Sequence, residues 1–399
     1  MPFAQAGSSV FPRMSVGNPI PFEQGTAKVV TLAELQSCDA WRRAFQDKCK
    51  DRRYYEIIEE TLEGFEFHYL LVQDNSKNVR AIQPVFFVRQ NLVEGVPGKI
   101  RLVVDLVRKI FPRFLTMRVL MVGCAAGTGD LGACDEKDEA WVANALQASL
   151  RMYARRNRAS LIVLKDFPAK YRPVLETFWS SRYARIASMP MTRLPLHYQN
   201  WDEYFKTLSK ATRKDLRRKF RKVERATRVD LEIVNDIAPY IEEAYPLYLA
   251  VHERSPMKFE RLTKNYFCAI GRRMGEKAHF FIWRQMEKIV AFSFCLVCDG
   301  AIYDECIGLD YSVALDLHLY FYTLRDIISW ALRERLNYYY SNPLNYEPKL
   351  RLDCELVPLD LYVLHTNAFI HPIFRRVIKY LGPTHHEPLL QRFPNAGQL

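Results

Sequence analysis

"KIVAFSFCLVCDGAIYDECIGLD", residues 288–310, is the stretch from which the fold can be read. Two runs rich in β-branched and aromatic residues, 288–298 and 301–310, flank Asp299-Gly300, a two-residue turn signal that closes a hairpin. The turn sets a register in which Cys295 is expected opposite Asp304, and Phe294 opposite Glu305. Side chains alternate across a strand, so the two neighbouring acids are expected on opposite faces. One of them then meets buried surface, where a raised pKa suits a general base that takes a proton from an amine. A salt bridge to a helix is the ordinary alternative.

Working outward, "HFFIWRQ" (279–285) adds a strand before the hairpin. A helix (315–335), strands at 338–342 and 359–365, and a last helix (367–381) follow it. Upstream lie a basic helix, a strand at 230–234 and helices over 238–252 and 259–274. The first half has the same flavour. A helical stretch (41–62) precedes a hairpin of "FEFHYLLVQD" (65–74) and "VRAIQPVFFVRQ" (79–90). An amphipathic basic helix (100–114), a strand (118–123), a glycine-rich loop, a helix (136–156), "SLIVLKDF" (160–167), a helix (168–181) and "MTRLPL" (191–196) complete it. Alternating strands and helices mean an α/β (α+β) chain, and 399 residues accommodate two domains. The expected division is a flexible tail (1–28), domain one (29–195), domain two (196–382) and a C-terminal tail (383–399).

The net charge is +12 and the pI about 9.2, which points to acidic partners without choosing among nucleotide, nucleic acid and membrane. The first 28 residues are expected to form a tail without an export signal, and no uncharged apolar run is long enough to span a bilayer. Nine scattered cysteines do not form a disulfide scaffold, so a cytoplasmic setting is expected. Cys295 and Cys298 are read as two small core residues, and no metal site is expected.

The charge is concentrated in "LSKATRKDLRRKFRKVE" (208–224). Nine Lys or Arg between Lys210 and Arg225 face only Asp215 and Glu224, a net of +7. On a helix this makes six like-charge pairs, which together oppose it by roughly 1 to 3 kcal/mol. Leu216, Phe220 and Val223 form the apolar stripe that docks the helix with its charge outward. A phosphate-bearing ligand would offset the repulsion, and Arg213, Lys214, Arg217 and Arg218 are the expected phosphate holders because guanidinium forks match phosphate oxygens. His252 at a helix end, and Tyr346 and Lys349 on an irregular loop, are further candidates for catalysis. "VGCAAGTGDLG" (122–132) has the look of a nucleotide loop in S-adenosylmethionine methyltransferases. The next strand-end acid, Asp166, lies about twice as far on as the roughly 20 residues a ribose-binding acid requires, so a tight structural loop is expected. The 100–114 helix could pack on a sheet or lie on an anionic membrane.

The order "WDEYFKTLSKATRKDLRRKFRK" (201–222), "LYLAVHERSPMKFERLTKNYF" (247–267), "IVAFSFCLVCDGAIYDECIGLD" (289–310) and "YYYSNPLNYEPKLRL" (338–352) resembles the GNAT acyl-CoA N-acyltransferase superfamily. Within it, the similarity is to the branch of CelD-like acetyltransferases and Fem-type aminoacyltransferases. The resemblance rests on Ser209, Arg213, Arg217 and Arg218 and on element order. It implies tandem GNAT-like domains with mixed, mostly antiparallel sheets flanked by helices. It also implies transfer of an acyl or aminoacyl group to an amine on a small molecule or peptide, a step for which the hairpin reading offers Asp304 or Glu305 as base. The glycine-containing pyrophosphate loop of ordinary GNAT enzymes is not visible in either half. The donor therefore stays open among acyl-CoA, aminoacyl-tRNA and a carrier protein. A non-enzymatic nucleic-acid-binding protein is the second reading and a methyltransferase the third.

Overall fold

The computed structural model describes residues 18–91, 116–226, 228–380 and 382–399. The amphipathic helix expected at 100–114 and most of the expected N-terminal tail lie outside these residues. The described part of that tail is not loose: β1 (Ile20–Phe22) and β2 (Gly25–Val30) form a hairpin that adds to the first sheet.

Two short helices, α1 (Leu32–Leu35) and α2 (Asp39–Arg43), lead to α3 (Arg52–Thr61). The expected continuous helix over 41–62 is thus broken. Phe45 takes a left-handed φ of 64°, and Asp51 starts α3 anew by accepting from the Arg53 amide. Strands β3 (Glu66–Asp74), β4 (Val79–Asn91) and β5 (Thr116–Val122) continue the meander. Helix α4 (Glu139–Arg156) then crosses to β6 (Leu161–Pro168), parallel to β5. After the short α5 (Glu176–Ser180) come β7 (Ala184–Ala187) and β8 (Met191–Pro195).

The second half repeats the plan. It begins with α6 (Trp201–Thr207) and the basic α7 (Lys210–Ala226), followed by β9 (Val229–Val234), α8 (Ile241–Arg254) and α9 (Lys264–Met274). Strands β10 (Ala278–Gln285), β11 (Lys288–Cys298) and β12 (Ala301–Leu309) form an antiparallel meander with β9. Helix α10 (Leu319–Arg333) crosses to β13 (Tyr338–Ser341), parallel to β12. The chain closes with α11 (Tyr346–Arg351), β14 (Glu355–Val357), β15 (Leu359–His365) and α12 (His371–Tyr380). The sheet orders are β1-β2-β3-β4-β5-β6-β15-β7 and β14-β8-β13-β12-β11-β10-β9. Among the described residues, β5–β6 and β12–β13 are the parallel pairs, so both sheets are mixed and mostly antiparallel.

The halves are not separate along the chain. Strand β8, expected to complete the first half, pairs with β13 and β14 of the second sheet. Strand β15, expected in the second half, sits between β6 and β7 of the first. Each half supplies a strand that the other's sheet requires. The residues after 383 are anchored as well: Leu390 and Phe393 are buried against Tyr346 and Leu356.

Further links cross between the halves. Tyr54 and Tyr266 share a hydroxyl hydrogen bond of 2.9 Å, Arg273 bridges Glu56 and Glu60, and Lys277 meets Asp51 at 2.8 Å. Cys49 and Cys298 are joined as a disulfide, with Cα atoms 5.6 Å apart. This corrects the reading of Cys298 as a core residue. Cys295 is buried and free, as expected for the opposite strand face.

Candidate active site

The β11–β12 hairpin has the expected register at Cys295 and Asp304, but a β-bulge follows: Phe294 faces Cys306, and Glu305 is the extra residue. The bulge breaks the alternation of side chains. Asp304 and Glu305 therefore both line one cavity, where opposite faces were expected.

That cavity, about 890 Å³, opens where β12 and β13 part. Their pairing runs only from Ala301–Tyr338 to Asp304–Ser341, after which β12 continues to Leu309 paired with β11 and without β13. Sheet one supplies an apolar wall through Met121, Val163, Ile186, Leu361 and Val363, and Phe374 and Ile378 of α12 close it from outside. The polar end is built from Lys165, Asp166, Glu260, Asp304, Glu305 and Lys349.

Asp304 is enclosed by protein on every side but the cavity. Its Oδ1 accepts from the Ser293 hydroxyl at 2.6 Å and its Oδ2 from the Tyr339 hydroxyl at 2.8 Å. Burial raises its carboxyl above the usual carboxylate range, and these two hydrogen bonds offset only part of the rise. Glu305 is paired at 2.9 Å with Lys50, from the loop before α3, and accepts from Asn342 at 3.2 Å. Lys349 is 2% exposed. It donates to the carbonyls of Asn342 and Leu344, and burial lowers its ammonium to about 8 although Asp304 opposes the change.

Lys165 and Glu260 at this end were not singled out from sequence, and Asp166 was weighed only as a ribose-binding acid. Lys165, at the end of β6, lies 2.7 Å from Asp166 and donates to the Gly127 carbonyl at 3.1 Å. Burial pulls the Lys165 ammonium down, but Asp166 and Glu260 outweigh it and the net shift is upward. Glu260 is raised by burial, with Lys165 opposing. The usable sequence signal for Lys165 was a charged pair, Lys165-Asp166, ending an otherwise apolar strand. Glu260 had none, because it sits in a loop.

The other sequence candidates divide. His252 lines the cavity, its Nε2 3.1 Å from the Glu260 carbonyl oxygen. Tyr346 is not on the cavity wall; it is buried and donates to the Pro190 carbonyl at 2.8 Å, tying α11 to the first half. None of Arg213, Lys214, Arg217 and Arg218 lines the cavity. Arg213 donates to the Lys206 and Leu208 carbonyls and so fastens the α6–α7 corner. Arg217 lies over Phe205 and Arg218 pairs with Asp215, which also holds Lys219 and Arg351. Lys210, Lys214, Arg221 and Arg225 have no carboxylate partner among the described residues.

Helix α7 does flank the helix that opens into the cavity. Lys219 lies 4.0 Å over Phe321, Lys222 is 3.6 Å from Asp316, and Glu224 is 3.6 Å from Arg325. Tyr320 and Leu324 on the same α10 line the cavity. At the start of α10, burial lowers the His318 imidazole and Lys219, Lys222 and Arg218 lower it further, which marks a positive field at that helix end.

In the glycine-rich loop after β5, Gly127 and Thr128 line the cavity and Gly129 is held against β6. Gly129 donates to the Asp166 carbonyl, and a Cβ there would collide with the Lys165 carbonyl oxygen. No group of His, Cys, Asp and Glu able to hold a metal occurs among the described residues.

Residues 210–347 match the family model described as an acetyltransferase (GNAT) domain. Among curated proteins, sequence comparison finds no match. Of solved structures, FemX superposes with a TM-score of 0.50 at 11% identity, over 83% of this chain and 96% of that one. L-PGS from Bacillus licheniformis gives 0.49 at 11% identity, over 83% and 95%. A tandem GNAT protein from the clavulanic acid biosynthesis pathway gives 0.48 at 10%, over 86% and 99%. At such identities the likeness is one of fold. The stretch that matches the GNAT domain model covers less than half of the chain and lies within a doubled mixed-sheet architecture.

Proposed function

We propose that the protein moves an acyl or aminoacyl group from a phosphate-bearing carrier to an amine inside the cavity between the two sheets. The observation that carries this reading is the parting of β12 from β13 beside a buried carboxyl, Asp304, whose basicity burial has raised. In the proposed reaction the amine nitrogen attacks the donor carbonyl carbon, and Asp304 takes the proton released. The bond from that carbon to the carrier's sulfur or oxygen then breaks, and the proton returns to the leaving atom. Ser293 and Tyr339 orient the carboxyl. Lys349 gives two N–H bonds to backbone carbonyls, and its third is the proposed donor to the oxyanion of the tetrahedral intermediate. The Lys50–Glu305 pair fixes the bulge that brings Asp304 to the cavity.

Acyl-CoA is the first donor proposed, with aminoacyl-tRNA and an acyl carrier protein as the others. Support comes from α7, whose cations stand beside the positive end of α10 at the cavity rim. A non-enzymatic nucleic-acid-binding reading rests on the same cations but leaves the cavity and Asp304 without a role.

The test is a panel of acyl-CoA thioesters and charged tRNA offered with amine acceptors, with products read by mass. Asp304→Asn is expected to lower turnover by about 10² to 10⁴-fold while donor binding persists. Full turnover in that variant removes Asp304 as the base. Absence of transfer from every donor in the wild type removes the donor class.

A further inference from the structure

Helix α12 presents two faces of opposite use. Phe374 and Ile378 point inward to the cavity. The outer face carries Phe369 just before the helix at 91% exposure, with Ile370 at 48%, Ile373 at 69% and Val377 at 49%. Spacings of three and four place Ile370, Ile373 and Val377 in one stripe. Most large apolar residues exposed elsewhere stand alone, which is ordinary for a soluble surface; a contiguous stripe marks a contact.

Within the segment that carries this stripe, the charges share one sign. From residue 361 to 386 the sequence holds no Asp or Glu, but it does hold Arg375, Arg376 and Lys379. Arg182 and Arg185, at the adjoining edge strand β7, lie beside the helix, whose His371 ring is 2.9 Å from the Arg182 carbonyl oxygen. Arg182, Arg185, Arg375 and Arg376 have no carboxylate partner among the described residues. Arg375 lies 5.4 Å over the partly exposed Trp179 ring, leaving its charge outward of an aromatic surface.

We propose that the outer face of α12, with Phe369, Ile370, Ile373, Val377 and the arginines beside them, docks on an anionic lipid bilayer. A bilayer surface supplies both halves of the complement: acyl chains for the apolar stripe and phosphate headgroups for the arginines. A second copy of the chain docked by two-fold symmetry would bring the same arginines against each other. Nucleic acid would meet the cations but leave four large apolar side chains in water. Docked this way, the helix that meets the bilayer with its outer face lines the cavity with Phe374 and Ile378 on its inner one, a placement suited to a substrate with an acyl chain.

The experiment is sedimentation of the full-length protein with vesicles of phosphatidylcholine, with and without phosphatidylglycerol. Binding to the anionic vesicles only is expected, weakening as salt is raised. Ile373→Asp with Val377→Asp should lower partitioning about tenfold or more with an unchanged thermal melt, since both side chains are exposed. Arg376→Gln should weaken binding to anionic vesicles by a smaller factor. Three outcomes overturn the proposal: no sedimentation of the wild type with anionic vesicles, equal sedimentation of the double variant, or a concentration-dependent dimer that the double variant abolishes.

Discussion

Asp304 and Lys349 are costly residues in the positions they occupy. An acid raised by burial resists ionising in the folded state, so its penalty is absent below the ordinary Asp range and grows as pH rises above it. Asp304→Asn is therefore expected to raise the urea midpoint at neutral pH, with the gain fading in acid, even as turnover collapses. Lys349 carries the opposite sign. Between its folded value of about 8 and the ordinary 10.5, the unfolded chain holds a proton that the native one has lost. Stability from this group thus rises with pH across that window, by roughly 3 kcal/mol. Urea midpoints at pH about 8 and about 10 should show wild type gaining on Lys349→Met; a constant difference between them removes the shift. At this scale the sequence made Asp304 and Glu305 candidates, but it put them on opposite faces. A one-residue bulge is invisible in an alternating pattern, because both sides of the bulge still alternate.

Among the elements, α7 was the most legible. Its apolar stripe does dock, with Leu216 and Val223 each 1% exposed. The residues chosen within it were selected by charge type, whereas the fold uses Arg213 as a corner clamp and Arg218 as an Asp215 partner. Among the described residues, Lys210, Lys214, Arg221 and Arg225 have no carboxylate partner. Lys214→Glu with Arg221→Glu is expected to weaken donor binding and flatten its salt dependence. The same change should stabilise the helix by roughly 0.2 to 0.5 kcal/mol for each like-charge pair relieved. Calorimetric donor titration across a salt series checks the first effect and thermal melts the second. Helix α3 shows the reverse error. Periodicity ran through residues 41–62, but the loop before α3 must reach across to place Cys49 beside Cys298 and Lys50 beside Glu305. A local pattern carries no sign of such demands.

For the whole molecule, the exchange of β8 and β15 makes the two units interdependent. A fragment of residues 18–195 leaves β6 and β7 without the strand between them, and a fragment of 196–399 leaves β13 and β14 without β8. Exposed ladder groups on both sides of a gap are poorly tolerated. Neither fragment is expected to unfold cooperatively, while the full chain should show a cooperative transition; circular-dichroism melts of the three proteins decide it. The sequence by itself determined the alternation of strands and helices in both halves, the hairpin register at Cys295 and Asp304, and the outward charge of α7. Hydrophobic periodicity and turn chemistry are local, and the chain states them directly. Only the tertiary structure decided that a strand from each half completes the other's sheet, that the cavity lies where β12 and β13 part, and that Lys165 and Glu260 join Asp304 there. Those residues are brought together by long-range pairing and burial, whose energies depend on neighbours the sequence does not place side by side.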